Sequence, residues 1–440
     1  MIGIVMFGAA LLALGFGYPV AFTFGAVAMV FGGIGAISEA FGDGGGLAES
    51  AEIFIDMFKF MPYRIYAIME NKILIAVPLF VFMGVILEKS KLAERLLTSM
   101  AFLFGGVRGG VAISTVLVGA LLAASTGVVG ASVVAMGMIS LPVMLRYRYN
   151  ASLGCGTICA SGTLGQIIPP SIVLIILGDV FNVPVGSLFH EALAPGLVLV
   201  FAYVVYILVV GYFKPEYAPI VPANEHEAYS IQLFRAIRAI LPPLLLVIFV
   251  LGSIFAGVAT PTESSALGCA GAVILSVFYR TFSFSMIKAA LLESVRTTAV
   301  IFTILVGATA FSLVFSYGGG EDLVSEFMTN LPGQKWGFII FVMVAIFLLG
   351  FFIDFVEISY IVLPIVVPII SDLGIEPVAF AILIAMNLQT SFLTPPFGFS
   401  LFFLRGVAPK SIKTAEIYKG VVPFIVIQLV VLVVFTLYLM

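Results

Sequence analysis

Read from its first residue, the chain alternates long apolar runs with short polar clusters. Apolar runs close to the bilayer-spanning length of about 20 residues fall at 2–17, 20–38, 73–88, 195–213, 239–257, 262–279, 297–315 and 421–440. Four further apolar blocks, 111–142, 150–181, 336–370 and 377–404, are interrupted by Gly and Pro. Two stretches are too polar to span and are predicted to lie at the interface. One is 40–70, with Asp43, Glu49, Glu52, Asp56 and Lys59; the other is 214–238, with Lys214, Glu216, Glu225, Glu227, Arg235 and Arg238. No basic region precedes the apolar Met1–Phe16, and apolar sequence resumes after Tyr18-Pro19, so the start reads as retained helices rather than a cleaved signal.

The interrupted blocks repeat one another. Ile168-Pro169-Pro170-Ser171 returns as Thr394-Pro395-Pro396-Phe397, an offset of 395 − 169 = 226. The same offset carries Pro142 onto Pro368 and helix 73–88 onto 299–314. It also lays Ser125-Thr126-Gly127 on Phe351-Phe352-Ile353, and Gly130 on Val356 beside Asp354 and Glu357. Agreement at one offset predicts a duplicated unit.

Charge orients the two copies. Arg108, Arg146 and Arg148 flank the first block, so the positive-inside rule puts both its ends in the cytoplasm. A block whose ends share a side is re-entrant and turns near Ser125-Thr126-Gly127. Its copy, 336–370, is bounded by Glu321, Asp322, Glu326, Asp372 and Glu376, with Lys335 the lone base, which suits the outside. Arg280 and Lys288 precede the second unit, and Arg405, Lys410, Lys413 and Lys419 follow it. The reading is an all-α polytopic membrane protein with inverted-topology repeats, two re-entrant hairpins and two broken helices, the usual build of secondary transporters.

Composition removes most other classes. Of 440 residues, 62% are hydrophobic and 10% charged, which leaves too little polar surface for a soluble fold. A net charge of −3 gives no basic field for nucleic acid. Three cysteines are too few for a disulfide scaffold, and Cys155 and Cys159 read as packed residues one helical turn apart. His190 and His226 read as loop histidines. A membrane enzyme would need an intramembrane Asp pair, a His/Glu metal cluster or a Ser–His pair. Neither histidine lies in an interrupted block, and Asp354 has no matching Asp in the first unit. A channel would need a ring of filter groups from identical subunits, whereas the duplication already supplies two pseudo-symmetric halves.

Non-helical backbone at membrane depth is tolerated where it is buried or lines a cavity. Four such places are expected. Two are the hairpin turns, Ala124-Ser125-Thr126-Gly127 and Gly350-Phe351-Phe352-Ile353-Asp354. The others are the breaks running from Ala160-Ser161-Gly162-Thr163-Leu164-Gly165-Gln166 to Pro170, and from Asn387-Leu388-Gln389-Thr390-Ser391 to Gly398. Each break frees backbone groups beside small hydroxyls. Freed carbonyls and Ser, Thr or Asn oxygens suit a monovalent cation, and freed N–H groups suit a carboxylate. The blander reading is kinks with Ser and Thr bonding back to preceding carbonyls. Asp354, Glu357 and Glu263 are acids in apolar surroundings and should face an interior path or an interface. Glu263, after Thr260-Pro261-Thr262, reads equally as a helix start.

These residues resemble the large membrane subunit of the tripartite ATP-independent periplasmic (TRAP) transporters. The resemblance is carried by Ala160 through Ile172, by Thr260-Pro261-Thr262-Glu263, and by Asn387 through Gly398. It implies an elevator-type carrier with a scaffold and a mobile transport domain, working with a small four-helix membrane subunit and a periplasmic solute-binding protein. It implies uptake of an organic acid driven by sodium in the bacterial inner membrane, with no other cofactor. The sodium sites it implies fall on Ser125, Thr126 and Gly127 with Ser161, Gly162 and Thr163, and on Gly350 and Asp354 with Asn387, Thr390 and Thr394. Substrate is expected against Ser125, Thr126, Gly127, Gly165, Gln166, Gln389, Thr390, Ser391 and Pro395. The stretches Ser125–Ser132 and Leu388–Phe392 depart from sialic-acid and C4-dicarboxylate members and resemble 2-oxo acid and lactate-type systems.

The expected division is an N-terminal scaffold and interfacial segment at 1–72, a first repeat at 73–194 and scaffold and connecting helices at 195–296. A second repeat at 297–420 and a C-terminal scaffold helix at 421–440 complete it. A stand-alone sodium- or proton-coupled carboxylate carrier of the same superfamily is the alternative.

Overall fold

The computed structural model describes residues 2–126, 129–221 and 229–440. The described residues form helices joined by short turns, as they must where no water is present to satisfy a free backbone. The first six are α1 (Ile2–Gly15), α2 (Val20–Gly42), α3 (Leu47–Phe58), α4 (Met61–Glu70), α5 (Ala76–Lys89) and α6 (Leu92–Leu103). The first interrupted blocks supply α7 (Gly110–Thr126), α8 (Val129–Arg146), α9 (Ala151–Thr163) and α10 (Ile172–Val180). Then follow α11 (Val185–Phe213), α12 (Tyr229–Phe255), α13 (Pro261–Phe278), α14 (Phe284–Tyr317) and α15 (Gly320–Thr329). The second blocks supply α16 (Lys335–Leu349), α17 (Phe355–Glu357), α18 (Leu363–Asp372), α19 (Pro377–Leu393) and α20 (Phe399–Val407), and α21 (Thr414–Leu439) ends the chain. Among the described residues, eight helical stretches are long and apolar enough to cross a membrane.

Boundaries recur at one spacing. The stretch Val129–Arg146 corresponds to Phe355–Asp372, since 355 − 129 = 226 and 372 − 146 = 226. The starts of α9 and α19 obey it too, 377 − 151 = 226. Pro142 and Pro368 both lie inside their helices. One feature has no counterpart: Ile358–Val362 is a π-helical turn. Pro364 follows and has no N–H to give the carbonyl of Tyr360, which favours a changed hydrogen-bond pattern there.

The protein's interior is built on α9 and α19. Every residue of α9 from Leu153 to Thr163, and of α19 from Ala379 to Leu393, is buried. A helix buried on all sides needs small residues where neighbours come close. The α9 sequence supplies them: a Cβ on Gly156 would overlap the Gly420 carbonyl of α21, and one on Gly420 would overlap the Ser152 carbonyl. A smaller core joins α1, α2 and α14, where Phe24 and Phe311 meet edge to face at 4.9 Å. The outward faces are apolar: on α21, Val422, Val426, Val430 and Val433 are each at least half exposed, as lipid-facing side chains are.

Several expected boundaries shift. The 40–70 stretch ends α2 and then folds as the short helices α3 and α4, whose exposed residues mix Glu49, Glu52 and Asp56 with Leu47, Ile55, Tyr63, Tyr66 and Met69. The 214–238 stretch is not wholly a connector, because α12 starts at Tyr229 and carries Arg235 and Arg238 in its early turns while burying Ala236 and Ala239. Helix α14 begins at Phe284 instead of 297, its polar first half anchored by Lys89 to Glu293 at 2.8 Å. Helix α11 begins at Val185, so His190 is an exposed helix residue beside Glu191 and not a loop residue; His226 lies outside the described residues. The two helices expected in the scaffold, α11 and α21, pack on the broken helices: α21 against α9 and α19, α11 against α21, α19, α10 and α7. Gln428 donates to the Tyr203 hydroxyl at 2.6 Å and ties the pair together.

Candidate functional site

The first break is made by local chemistry. Asn150 caps α9 by accepting from Leu153 N at 3.2 Å, and α9 then runs for 13 residues, about 20 Å, too short to cross. A tight turn at Leu164–Gln166 follows, then Pro169-Pro170, joined by a cis bond. Neither proline can donate, so the carbonyls before them lose their helical partners. Ser171 takes one of these: its hydroxyl donates to the Gln166 carbonyl at 2.7 Å while its oxygen accepts from Leu174 N at 3.5 Å, capping α10.

The second break is solved the same way at the repeat spacing. The Pro395-Pro396 bond is also cis, and the Ser400 hydroxyl donates to the Phe392 carbonyl at 2.9 Å. Gln166 and Phe392 stand 392 − 166 = 226 residues apart. Tyr418 secures the Pro396 carbonyl at 2.8 Å. The two breaks differ in cover. Pro169, Pro170 and Ser171 are buried, with Ile168 seated against Gly196 of α11, whereas Pro396 and Phe397 are exposed and Phe352 of the second hairpin packs on Phe397 with ring centroids 5.2 Å apart.

Both hairpins close on this pair. In the first, α7 and α8 pack against each other and against α9. A Cβ at Gly119 would fall 2.6 Å from Ser161 Cβ, and one at Gly162 would overlap Val133, so both contacts require glycine. Helix α8 also reaches the second broken helix, with Gly130 under the Phe403 ring. In the second hairpin, α16 packs on α19, and the π turn, α17 and α18 pack on α10. A Cβ on Gly350 would overlap the Ser391 hydroxyl. The turn Leu164–Gln166 itself packs on α19.

The expected site residues divide by behaviour. Gly127 lies outside the described residues, as do the side chains of Ser125 and Thr126. The hydroxyls bond back along their own helices: Ser161 to Ile158, Thr163 to Ala160, Thr390 to Met386, Ser391 to Leu388 and Thr394 to Thr390, all at 2.7–3.0 Å. A hydroxyl that has donated its proton keeps its lone pairs, which suits a cation. Asn387 donates across to the Met343 carbonyl at 2.7 Å, tying α19 to α16. Asp354 caps α17 by accepting from Phe355 N at 2.7 Å. Gly165 is buried in the first turn, and Pro395 is half-buried at the second break.

Gln166 and Gln389 behave differently. Both are fully buried, and among the described residues neither amide oxygen nor either amide nitrogen has a hydrogen-bond partner. A buried polar atom left unpaired costs on the order of 1–3 kcal/mol. The two amides can together donate to a carboxylate and accept from a hydroxyl or water. Glu357 is also buried, with one carboxylate oxygen unpaired among the described residues.

Glu263 resolves as a helix start. Its carboxylate accepts from the Thr260 N–H and hydroxyl, each at 2.8 Å, in a capping box on α13. Cys155 and Cys159 are buried, the latter donating toward the Ser400 carbonyl at 3.7 Å. No cluster of three or more metal-ligating side chains occurs among the described residues. Asp179 and Tyr360, which bond to each other at 3.0 Å, were not singled out from sequence. The signal was an acid at the end of an otherwise apolar run, Ile172–Val180.

Residues 5–439 match the family described as tripartite ATP-independent periplasmic transporter, DctM component. The chain belongs to that family. It is a multi-pass permease of the bacterial inner membrane within the TRAP transporter superfamily, a family of transport components and not of enzymes. It is 31% identical to the C4-dicarboxylate TRAP large permease DctM of Pseudomonas aeruginosa, over 87% of this chain and 88% of that protein. The ectoine TRAP large permease TeaC of Halomonas elongata is 30% identical over 80% and 81% of the two chains. For the sialic acid permease SiaM of Vibrio cholerae the figures are 28%, 82% and 83%. Near-equal identity to proteins named for unlike substrates singles out no substrate branch of the family, the 2-oxo acid and lactate-type branch included. Among solved structures, the Alcanivorax borkumensis YdaH transporter aligns over 88% of this chain and 89% of its own, with TM-score 0.64 and 13% identity. That likeness is one of fold.

Proposed function

We propose that this TRAP permease imports an organic acid in symport with sodium. The acid is delivered by a periplasmic binding protein, and a small four-helix membrane subunit completes the permease. The observation that carries the reading is the pair of fully buried amides, Gln166 and Gln389, one on each broken helix, which have no hydrogen-bond partner among the described residues. They supply what a carboxylate needs at membrane depth. The substrate site on this reading comprises Ser125, Thr126, Gly127, Gly165, Gln166, Gln389, Thr390, Ser391 and Pro395. The flanking sodium sites are Ser125 and Gly127 with Ser161, Gly162 and Thr163, and Gly350, Asp354, Asn387, Thr390 and Thr394.

Two sodium ions accompanying a monocarboxylate move one net positive charge, and about 100 mV then contributes roughly 2.3 kcal/mol. Coincident boundaries at the 226 spacing support a repeat, and the unlike charges at the margins of its two copies support its inversion. The mobile body on this reading comprises α7–α10 and α16–α20, and because α11 and α21 pack on its broken helices we include those two helices in it instead of the expected scaffold. Within the organic acids, Ser125–Ser132 and Leu388–Phe392 favour a 2-oxo acid or lactate-like substrate.

Uptake into proteoliposomes, with binding protein outside and a panel of labelled organic acids, tests the reading under sodium, potassium and proton gradients in turn. Accumulation driven by sodium alone is expected. A proton-coupled carrier is the second reading, favoured by the buried Glu357 with its unpaired oxygen. Accumulation under a proton gradient without sodium would establish that reading instead.

A further inference from the structure

Far from the broken helices, at the ends of α6, α12 and α13, the protein gathers positive charge around an open cavity of about 980 Å³. Lys91, Arg95, Arg235, Arg238 and Arg280 line it, against one acid, Glu94. They come from three separate segments, so no single helix pattern produces the cluster. Among the described residues, Lys91, Arg95, Arg238 and Arg280 form no salt bridge with a carboxylate. Arg95 is held in place, its guanidinium 5.4 Å from the ring centroid of Tyr279, whose hydroxyl donates to the Ala239 carbonyl at 3.2 Å. Like charges gathered around one cavity repel, and among the described residues Glu94 is the one carboxylate that lines it with them.

We infer that this cavity binds the phosphate of an anionic phospholipid from the cytoplasmic leaflet. Guanidinium groups present paired N–H donors that match phosphate oxygens. The surroundings favour a lipid over a soluble anion. Phe278 on the rim is 57% exposed, and Phe234, Ile237 and Leu241 beside the arginines of α12 are exposed as well, an apolar wall for acyl chains. The cations sit where spanning helices end, the level at which head groups lie, and basic pockets between such helices suit anionic head groups. A bound head group would join α6, α12 and α13, none of which carries a residue of the proposed transport site.

The test is thermal unfolding of the full chain in neutral detergent, titrated with phosphatidylglycerol, phosphatidylcholine or inorganic phosphate at matched ionic strength. Phosphatidylglycerol is expected to raise the midpoint saturably, and the other two to leave it unmoved. In the combined variant Arg95→Gln, Arg238→Gln, Arg280→Gln the half-saturating phosphatidylglycerol concentration should rise at least tenfold. Lys410→Gln with Lys413→Gln should leave it unchanged. If the triple variant fails to fold, native mass spectrometry of Arg280→Gln should show fewer retained phosphatidylglycerol molecules than the unaltered protein. Equal stabilisation by phosphatidylcholine, equal stabilisation by phosphate, or equal retention in Arg280→Gln would each overturn the assignment.

Discussion

The carboxylate of Asp179, at the end of α10, accepts the hydroxyl of Tyr360 from the second hairpin at 3.0 Å, across 181 residues of sequence. Its other oxygen accepts the side-chain amide of Asn71, which lies between α4 and α5 and itself receives the Ile73 N–H at 2.9 Å. One acid thus joins α10, the π-helical turn and the chain ahead of α5.

On the proposed movement, the Tyr360 bond travels within the mobile body and the Asn71 bond breaks. Tyr360→Phe should therefore destabilise the fold by about 1.5–3 kcal/mol, the range for a hydrogen bond to a charged group. Asn71→Ala should change the uptake rate with a smaller effect on thermal unfolding. Unfolding midpoints and uptake measured on both variants check this. A stability loss as large for Asn71→Ala as for Tyr360→Phe, with its uptake unaltered, would make the junction purely structural.

For sodium, the relevant hydroxyls are those of Ser161, Thr163 and Thr390, each already donating to its own helix. Ser161→Ala, Thr163→Ala and Thr390→Val should raise the sodium concentration for half-maximal uptake. Each lost oxygen should cost about 1–3 kcal/mol where it is buried. Unchanged sodium dependence in all three would leave them as packing hydroxyls.

Much of this architecture is legible from Pro and from the repeat spacing. Pro169-Pro170 and Pro395-Pro396 announce the breaks because proline removes a donor whatever surrounds it. The 226 spacing locates α8, α9 and α19 closely for the same reason: local chemistry sets their ends. What sequence conceals is which helix leans on which. The placement of α21 against α9 depends on Gly156 meeting Gly420, a match of two surfaces far apart in the chain. The start of α14 is hidden because Lys288, Glu293 and Arg296 read as polar connector while the helix simply continues beyond the apolar zone. Gln166 and Gln389 are visible as residues, but that neither has a hydrogen-bond partner among the described residues is a property of the folded interior.

Close packing gives a steric prediction. Gly350→Ala drives a methyl group into the Ser391 hydroxyl, and Gly162→Ala drives one into Val133. Each should destabilise by about 1–3 kcal/mol, as overpacking of a dense interior does. Gly25→Ala, with open space around the position, should be near neutral. Unfolding midpoints of the three variants decide, and equal values would mean that the hairpins are loosely seated.

The charge pattern makes a prediction about topology. A cysteine near Arg146 should react with impermeant reagents from the cytoplasm, and one near Asp372 from the periplasm. These positions correspond at the 226 spacing, so opposite labelling is what an inverted repeat requires. Labelling of both from one side would end that reading.

The proposed elevator movement makes the most demanding prediction. Its body, redrawn from the packing, includes α11 and α21, because α9 meets α21 backbone to backbone at Gly156 and Gly420. Sliding at that contact would drive carbonyls past one another with no room to pass. Separating the hairpins from the broken helices would break bonds such as that from Asn387 to the Met343 carbonyl and leave the freed groups unpaired at membrane depth, at several kcal/mol apiece. Moving the assembled site as one piece avoids both costs. A disulfide within the body, between cysteines introduced at Ser152 and Lys419 where α9 faces α21, should leave most uptake intact. One between the body and the surrounding helices, at Asn71 and Asp179, should stop uptake while sodium still binds. The pair is chosen because the side chains of these two residues already meet there. Uptake at the full rate with the Asn71–Asp179 cross-link complete would exclude rigid-body movement between these parts, leaving opening at the hairpin turns as the motion that admits substrate.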